Sequence, residues 1–585
     1  MSKKILIGVA WPYVNGDIHL GHLAGYLLPA DIFARYQRLR GNDVLMVSGS
    51  DCHGTPITVE ADKQKVTPAE VVAQYHAKDV ALFKQYNLSY NLYTKTTTEN
   101  HKTVVHEVFM DLLKRGYIVK GIMKQYYSAA DKQFLPDRYV EGTCPYCGTK
   151  DQRSDQCENC GRWIGDGELI EPHSKLTGAQ VELKDTEHYF LDFPKLAKEL
   201  RAYVDGKLDD MGDRREIWRD WVYKETEGWL KEGLNKRAIT RDMDWSIELP
   251  VEEIKKLESE KQLKDFTGKR IYVWFEAVIG YLSAAVEWSK TNEEGADNIF
   301  MRTKGQSKDW KDWWLNKEAE IYNFMGQDNL VFHTLMWPGE LIGTGRGYAL
   351  PRNVIVNKFM NYEGKKFSKS RGWTIDSKKM ADKYGVDLIR YYISANLPEN
   401  KEADFTWESF ADSVNNELVA NLGNFINRTL KFLESKMEGS LTIRDFKMDP
   451  ALEVAILDTF EATASYIEHA DFVAALNAVM ELGRKGNQYF DQQKIWQVIK
   501  TDKPAAENTM LNLLNLVSAL IVLIGPFLPE AAEKLTALIN GKASEPAVGT
   551  DFWKFTSQDT FKLNSVVEVA FPKLDKAVVL QEKEA

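Results

Sequence analysis

The sequence has no apolar run that reads as membrane-spanning. Its greasiest stretch, Leu511 to Ile524, falls short of the roughly 18 residues a bilayer requires and contains Asn512, Asn515 and Ser518. It also lacks a signal-peptide pattern, because the first apolar run, Ile5 to Ala10, is cut by Trp11-Pro12. A membrane role is set aside, and the chain is expected to be soluble and cytoplasmic. Positive charge is not in surplus: 75 Lys and Arg face 85 Asp and Glu, a net charge of −10. Any nucleic-acid contact therefore has to come from local patches. Cysteine is scarce, with five in 585 residues. Four of them fall between Cys144 and Cys160, which speaks against a disulfide scaffold and for a metal. There is no internal repeat and no low-complexity tract. No GxGxxG follows the first apolar run, so the dinucleotide fingerprint is absent.

What is present suits a multidomain globular protein. The chain is 44% hydrophobic and 27% charged, and holds 16 tryptophans and 25 tyrosines, large rings useful in cores and pockets alike. Its length predicts several domains at about 150 residues each.

The first 40 residues predict a strand, a loop and a helix. Ile5-Leu6-Ile7-Gly8-Val9-Ala10 is followed by the turn Trp11-Pro12-Tyr13-Val14-Asn15-Gly16 and then by His19-Leu20-Gly21-His22. Leu20, Leu23, Leu27, Ile32, Tyr36 and Leu39 supply a helical stripe. Two histidines and a glycine on a helix's first turn suit a phosphate, because the N–H groups there are unpaired and the dipole end is positive. A second strand, Asp43 to Ser48, runs into Gly49-Ser50-Asp51-Cys52-His53-Gly54. Strands alternating with helices predict a parallel sheet with its ligand at the C-terminal strand ends, which would bring Asp51 to the crevice of His19. Gly268 to Phe275 reads as a strand followed by a helix from Ala277 to Trp288, and Glu320 to Asp328 as a further strand, the sheet resuming after an insertion.

Inside that insertion, Cys144-Pro-Tyr-Cys147-Gly and Cys157-Glu-Asn-Cys160-Gly form CxxC–x9–CxxC. Four thiolates predict one closed, structural zinc that folds its own segment. Cys52, standing apart, is expected to be a buried small residue. Further on, Gly364-Lys365-Lys366-Phe367-Ser368-Lys369-Ser370-Arg371-Gly372 sets four cations between glycines, with Lys358 just before. Such a loop can move and wrap phosphates. Beyond about Asp404 successive helical stripes predict a bundle of about five helices, followed by a docked strand from Ser565 to Phe571.

His19-Leu20-Gly21-His22 resembles the HIGH signature, and Lys366-Phe367-Ser368-Lys369-Ser370 the KMSKS signature, of class I aminoacyl-tRNA synthetases, with Phe367 replacing the usual methionine. Within that class the sequence is similar to the methionyl-tRNA synthetases. The carriers of that likeness are Pro12 to Gly16, Ser50 to Pro56, the four-cysteine knuckle, Thr240-Arg241-Asp242, Tyr272 to Ala277 and Gly326 to Pro338. The resemblance implies a Rossmann-type parallel-sheet catalytic domain split by a zinc-knuckle insertion, then an all-α anticodon-binding bundle. The expected bounds are 1–117 and 246–345 for the two catalytic halves, 118–245 for the insertion (knuckle about 141–163) and 346–403 for the stem region with its KFSKS loop. The bundle is expected at 404–545 and a tail at 546–585.

The resemblance also implies the reaction: methionine and ATP give methionyl-adenylate and pyrophosphate, and tRNA(Met) then takes the methionyl group on its 3′-terminal adenosine. His19, His22, Lys366 and Lys369 would carry catalysis, with Gly21 and Ser368 completing the ATP site and Mg²⁺ accompanying the nucleotide. Asp51 would pair with methionine's ammonium, inside an aromatic pocket of Trp11, Tyr13, Trp274, Tyr281, His333 and Trp337. Val278 stands where a proline is common. Asn424, Arg428 and Trp496 match the anticodon readers. A chain ending at residue 585, without the extra C-terminal tRNA-binding domain of dimeric members, is expected to be a monomer. Editing enzymes for branched amino acids would need a larger insertion, a cysteinyl enzyme would put its zinc in the cleft, and a non-enzymatic RNA-binding scaffold would leave both phosphate motifs without a use.

Overall fold

The computed structural model describes the chain except residues 1, 137–138, 155–156, 158, 161–163, 165–166, 210, 292–297, 368–371, 541–545 and 584–585. Its centre is a five-stranded sheet: β1 (Lys4–Val9), β2 (Asp43–Ser50), β3 (Leu92–Lys95), β4 (Glu320–Gly326) and β5 (Pro351–Asn357), in the order β5-β4-β1-β2-β3, all parallel. Burial on both faces explains why β1, β2 and β4 read as near-continuous apolar runs rather than alternating ones. The strand order reverses between β1 and β4, the point in such sheets where a crevice opens at the carboxyl ends.

The helices that leave β1 and β4 share an irregularity. The first runs from Leu20–His22 through a π-helical turn, Leu23–Leu27, into Leu28–Leu39. The other has a π turn at Phe332–Met336 before Trp337–Thr344. Single π turns inside helices commonly mark functional sites, and these two flank the switch point.

Between β3 and β4 lies the insertion. Its antiparallel sheet pairs Ile118–Ser128 with Glu182–Leu191, and the knuckle strands Val140–Thr143 and Ile170–Ser174 project beyond it. The expected strand over Gly268 to Phe275 is corrected here. Only Lys269–Ile271 is extended, paired antiparallel with Thr240–Asp242 rather than with the central sheet, and the helix already starts at Val273. Tyr272 caps that helix, and an aromatic apolar run that fits either period left the boundary unmarked. The central sheet resumes only at β4.

The C-terminal region is a helical bundle that includes Asn424–Lys436, Pro450–Glu468, Phe472–Gln493 and Lys503–Ile524. The last of these is long and apolar enough to cross a membrane, yet 72% of its apolar window is buried in the protein. The tail adds a strand at Thr560–Lys562, paired with Ser440–Thr442. No strand forms over Ser565 to Phe571, where Val566 and Val569 point into solvent while Val567 and Phe571 are buried.

Bundle and sheet are joined by a buried arginine. Arg390 bonds Asp31 at 2.7 Å and reaches the carbonyls of Tyr86, Pro526 and Phe527. Burial alone would raise the Asp31 pKa, but Arg35 and Arg390 hold it down to about 2. The stabilisation is full above the ordinary carboxylate range and is lost as pH falls toward 2. Arg390→Lys keeps the charge but loses the fork. It should cost about 1.5–3 kcal/mol, read as a lowered urea midpoint whose deficit shrinks in acid.

Candidate active site

The loops leaving β1 and β2 are zipped together at the sheet's carboxyl edge. The Asp51 N–H donates to the Pro12 carbonyl at 2.8 Å and the Val14 N–H to the Asp51 carbonyl at 3.2 Å, so Tyr13 and Asp51 lie side by side. Above them opens a cleft of about 370 Å³, lined by Trp11, Tyr13, His19, Gly21, His22, Asp51, Trp274, Tyr281, His333 and Lys366, among others.

His19 is the N-cap of its helix. Its Nδ1 accepts the Gly21 N–H at 3.1 Å, and His22 Nδ1 accepts the His19 N–H at 3.1 Å, a reciprocal box made of two imidazoles. With Nδ1 accepting, a neutral ring carries its proton on Nε2. Both histidines thus keep an N–H donor on the side away from the backbone. Phe367 stacks on His19, with centroids 4.6 Å apart and planes at 9°. Lys366, exposed, sits 5.4 Å over the Phe359 ring. The base of its loop is a hairpin, Met360–Tyr362 against Lys365–Lys366, turning through Glu363 and Gly364, both at positive φ. Ser368 and Lys369 lie outside the described residues.

On the other side of the cleft, Asp51 is 4% exposed, and its Oδ1 is buried without a hydrogen-bond partner. Burial, then the nearby Glu276 carboxylate, pushes its pKa well above the carboxylate range. A carboxylate so placed wants a cation. Trp11 lies in a slot between two glycines: a Cβ on Gly49 would come within 2.3 Å of the indole, and one on Gly280 within 2.6 Å. Trp274 stands at the mouth, its Nε1–H donating to the Tyr13 hydroxyl at 3.0 Å. His333 Nδ1 donates to the Asn329 carbonyl at 2.9 Å, so its Nε2 accepts the Tyr281 O–H at 2.7 Å. Burial lowers the His333 pKa to about 4 and keeps the pair uncharged. A neutral aromatic wall of this kind favours a polarizable, uncharged side chain. Trp337 is fully buried behind Tyr281, at 6.3 Å, and does not line the cleft. Val278 does line it.

Several lining residues carry no site role in the sequence reading: Tyr26, Asp328, Asn329 and Phe332. Asp328 and Asn329 follow the end of β4, and the Gly326-Gln-Asp turn at a switch-point strand was the signal available for them.

Elsewhere, Cys144, Cys147, Cys157 and Cys160 bring their sulfurs within 4.8 Å of one another, all as free thiols. The Thr149 hydroxyl bonded to Cys147 draws that thiol down to about 6, toward the thiolate a metal binds. The donor set fits a tetrahedral metal. Cys52 is fully buried, as expected, its Sγ–H donating to the Ser50 carbonyl.

In the bundle, Asn424 and Arg428 share one exposed helix face. Asn424 bonds Asn487 at 3.0 Å, and Arg428 bonds Asp491 at 2.7 Å while covering the Phe490 ring at 4.3 Å. Trp496 stacks on the same Phe490, centroids 5.9 Å apart and planes at 18°, and remains 38% exposed. All three predicted residues meet on one surface.

A doubly wound sheet with imidazole donors at its switch point and a basic loop opposite, joined to a helical bundle, is the architecture of a class I aminoacyl-tRNA synthetase. Residues 5–430 match the family described as tRNA synthetases class I (M), and residues 446–578 the anticodon binding domain of methionyl tRNA ligase. The chain is 42% identical over 554 residues to a methionine–tRNA ligase of Roseiflexus sp. (strain RS-1), covering 92% of this chain and 87% of that protein. It is 40% identical over 589 residues to one from Dehalococcoides mccartyi, covering 100% and 99%. The Mycobacterium tuberculosis methionyl-tRNA synthetase in complex with methionyl-adenylate shares the fold, with a TM-score of 0.74 at 22% identity over 97% of this chain and all of that one. The chain belongs to the methionyl family of class I tRNA synthetases.

Proposed function

We propose that the cleft joins methionine to ATP and passes the methionyl group to tRNA(Met), the methionine–tRNA ligase reaction of the family. The observation that carries the assignment to this cleft is Asp51. It is a buried carboxylate oxygen without a partner, at the floor of a neutral aromatic pocket and across the cleft from the phosphate-binding helix start.

Methionine enters with its ammonium on Asp51 and its thioether against Trp11, Tyr281 and His333, with Tyr13 and Trp274 at the mouth and Trp337 bracing Tyr281 from behind. Its carboxylate, already an anion, attacks the α-phosphorus of ATP, and pyrophosphate leaves in line. No proton moves in that step, so the protein's task is to stabilise charge as it builds on the phosphates. The Nε2–H groups of His19 and His22, with Lys366 and Lys369 from the loop, supply the donors, and Ser368 completes the site. Gly21 leaves room for the nucleotide base. Mg²⁺ accompanies the ATP and needs no protein cage of its own. The 3′-terminal adenosine hydroxyl then takes the methionyl group, releasing AMP. Cys144, Cys147, Cys157 and Cys160 would hold a zinc ion whose part is to fold the knuckle, outside the chemistry. A monomer in the cytoplasm fits this reading.

ATP–pyrophosphate exchange with each of the twenty amino acids tests the substrate. Methionine alone should support it, and exchange with cysteine or a branched amino acid instead would reject the assignment.

For the anticodon, Asn424 and Arg428 offer hydrogen bonds to base edges, and Trp496, backed by Phe490, offers a stacking platform. Stacking on an aromatic ring is worth about 1–3 kcal/mol per base. Trp496→Ala should therefore cut kcat/KM for tRNA charging by roughly 5- to 150-fold and leave exchange as it was. Equal losses in the two assays would remove the anticodon role.

A further inference from the structure

We propose that Glu276 is a positioning residue for the amino-acid substrate. Locked beneath the cleft by two imidazoles and tied to Asp51 through His53, it is a second, hidden carboxylate in the seat of the substrate ammonium. This rests on the assignment of Asp51 to that ammonium.

The geometry is a continuous chain. Glu276 lies fully buried in the first turn of the helix Val273–Lys290, where the helix end favours a negative charge. Its Oε1 is 2.9 Å from His53 Nδ1 and its Oε2 is 2.6 Å from His101 Nε2. His101 Nδ1 in turn lies 2.7 Å from the Ser283 hydroxyl, which reaches the Gly280 carbonyl at 3.1 Å. His53 faces both ways: its ring holds Glu276 and its backbone N–H bonds the Asp51 carboxyl. These contacts span 223 and 175 positions of sequence, so three separate segments are committed to placing one carboxyl group.

The charge consequences follow from the same contacts. With an imidazole on each oxygen, Glu276 is held below the usual carboxylate range despite its burial. Asp51 has no such pair of donors and feels both burial and the Glu276 charge, so it is the member of the pair that takes up a proton. An arriving ammonium displaces that proton and finds two negative charges. Beyond His53 and His101, which attract Glu276, Cys52, His76 and Glu287 add no cation beside it. Burial pushes the Cys52 thiol up to about 12 and lowers His76, bonded to Ser50, to about 4. Glu287, bonded to Thr94 and Thr98, is raised by burial. Rings also face the cluster, Trp11 against His101 at 6.1 Å and Trp245 against His53 at 6.0 Å, while Lys95 lies on the His76 side.

The test is methionine affinity of the full chain, followed by tryptophan fluorescence from about pH 5.5 to pH 9. In the wild type, affinity should fall as pH drops and Asp51 takes up its proton. Glu276→Gln keeps the shape and removes the charge. Its acid limb should move down by about one pH unit, giving about tenfold better relative affinity at the acid end. At the alkaline end its affinity should be weaker, because the ammonium has lost a counter-charge. The two profiles therefore cross. 4-(Methylthio)butanoate, which lacks the amine, should bind the variant no more weakly than the wild type. Parallel profiles, or equal loss of methionine and the amine-free analogue, would mean that Glu276 only supports the fold and would overturn the proposal. Glu276→Asp keeps the charge and should leave the acid limb in place. A moved limb there overturns the proposal even if the Gln variant does not fold. Asp51→Asn separates the two claims: unchanged methionine affinity in that variant would reject the Asp51 assignment itself, whatever Glu276 does.

Discussion

Replacing His22 with alanine should lower methionine-dependent pyrophosphate exchange by about 10²–10³-fold while leaving methionine affinity close to that of the wild type. The size follows from what one well-placed donor is worth when it stabilises charge present only in the transition state, about 2.7–4 kcal/mol. His22 does two things that can be separated. Its Nδ1 accepts the His19 N–H at 3.1 Å, which fixes the first turn of the helix, and its Nε2–H is the donor proposed for the phosphate. His22→Asn offers an acceptor for the capping bond but no donor at the Nε2 position, so it should recover stability without recovering rate. Methionine affinity should be spared because the residues proposed to hold the amino acid, Asp51, Tyr281 and His333, line the opposite wall. If His22→Ala exchanged within about threefold of the wild type, the imidazole would have no part in charge stabilisation. If the Asn variant recovered the rate, the capping bond would be the whole of its contribution.

The parts of this site that a single sequence displays are those made by neighbours in the chain. The histidine pair shows because Leu20–His22 begins a helix directly after a β-strand and its loop. The thiol cluster shows because all four cysteines lie within one short stretch. The strand that ends near Asp51 shows because Val44 to Val47 is an unbroken apolar run that gives way to Ser48-Gly49-Ser50. The surface proposed for the anticodon half-shows: Asn424 and Arg428 are four apart on one helix, but their partners Asn487 and Asp491 come from another.

What stays hidden is pairing across the chain and the choice between two periods. Nothing local says that Glu276 will meet His53 and His101, or that Arg390 will reach Asp31 from 359 positions away. Each of those residues, read alone, is an ordinary charged or polar position. The Ile271 to Phe275 run failed for a different reason. Its aromatics suit a strand as well as a helix, and the deciding contacts are tertiary, since Phe275 and Glu276 turn inward together only on a helix that starts at Val273. The π turns at Leu23–Leu27 and Phe332–Met336 are hard to read for a related reason, since one extra residue lengthens a single step of the stripe, as from Leu27 to Ile32, and ordinary scatter in apolar spacing does the same.

Stripping the metal should unfold the knuckle and leave the rest of the molecule standing. The apolar cluster around the thiols is small and separate from the main core: Tyr126, Leu135, Tyr139, Val140, Ile164 and Leu169, with Cys144 and Cys157 themselves buried among them. A cluster of that size cannot hold a segment of this length without a cross-link. A structural zinc supplies about 10–16 kcal/mol at neutral pH in small domains, far more than those side chains could. Metal release should therefore expose residues 139–174 to protease and to hydrogen exchange, with about one zinc recovered per chain. Cys157→Ser should do the same without a chelator. The main core shares no buried residue with this cluster, so the urea midpoint of the sheet and bundle should barely move. One catalytic element should feel the loss. Val59 packs against the knuckle, and the Tyr139 hydroxyl donates to Asp62 at 2.7 Å, both on the helix Thr55–Gln64 that follows Asp51 and His53. KM for methionine should rise more than KM for ATP, because that helix adjoins the ammonium seat proposed at Asp51 and not the histidine turn. A knuckle that stayed protected after metal release would mean its own packing suffices. Global unfolding would mean that the insertion, far from being a separately folded appendage, is part of what holds the sheet together.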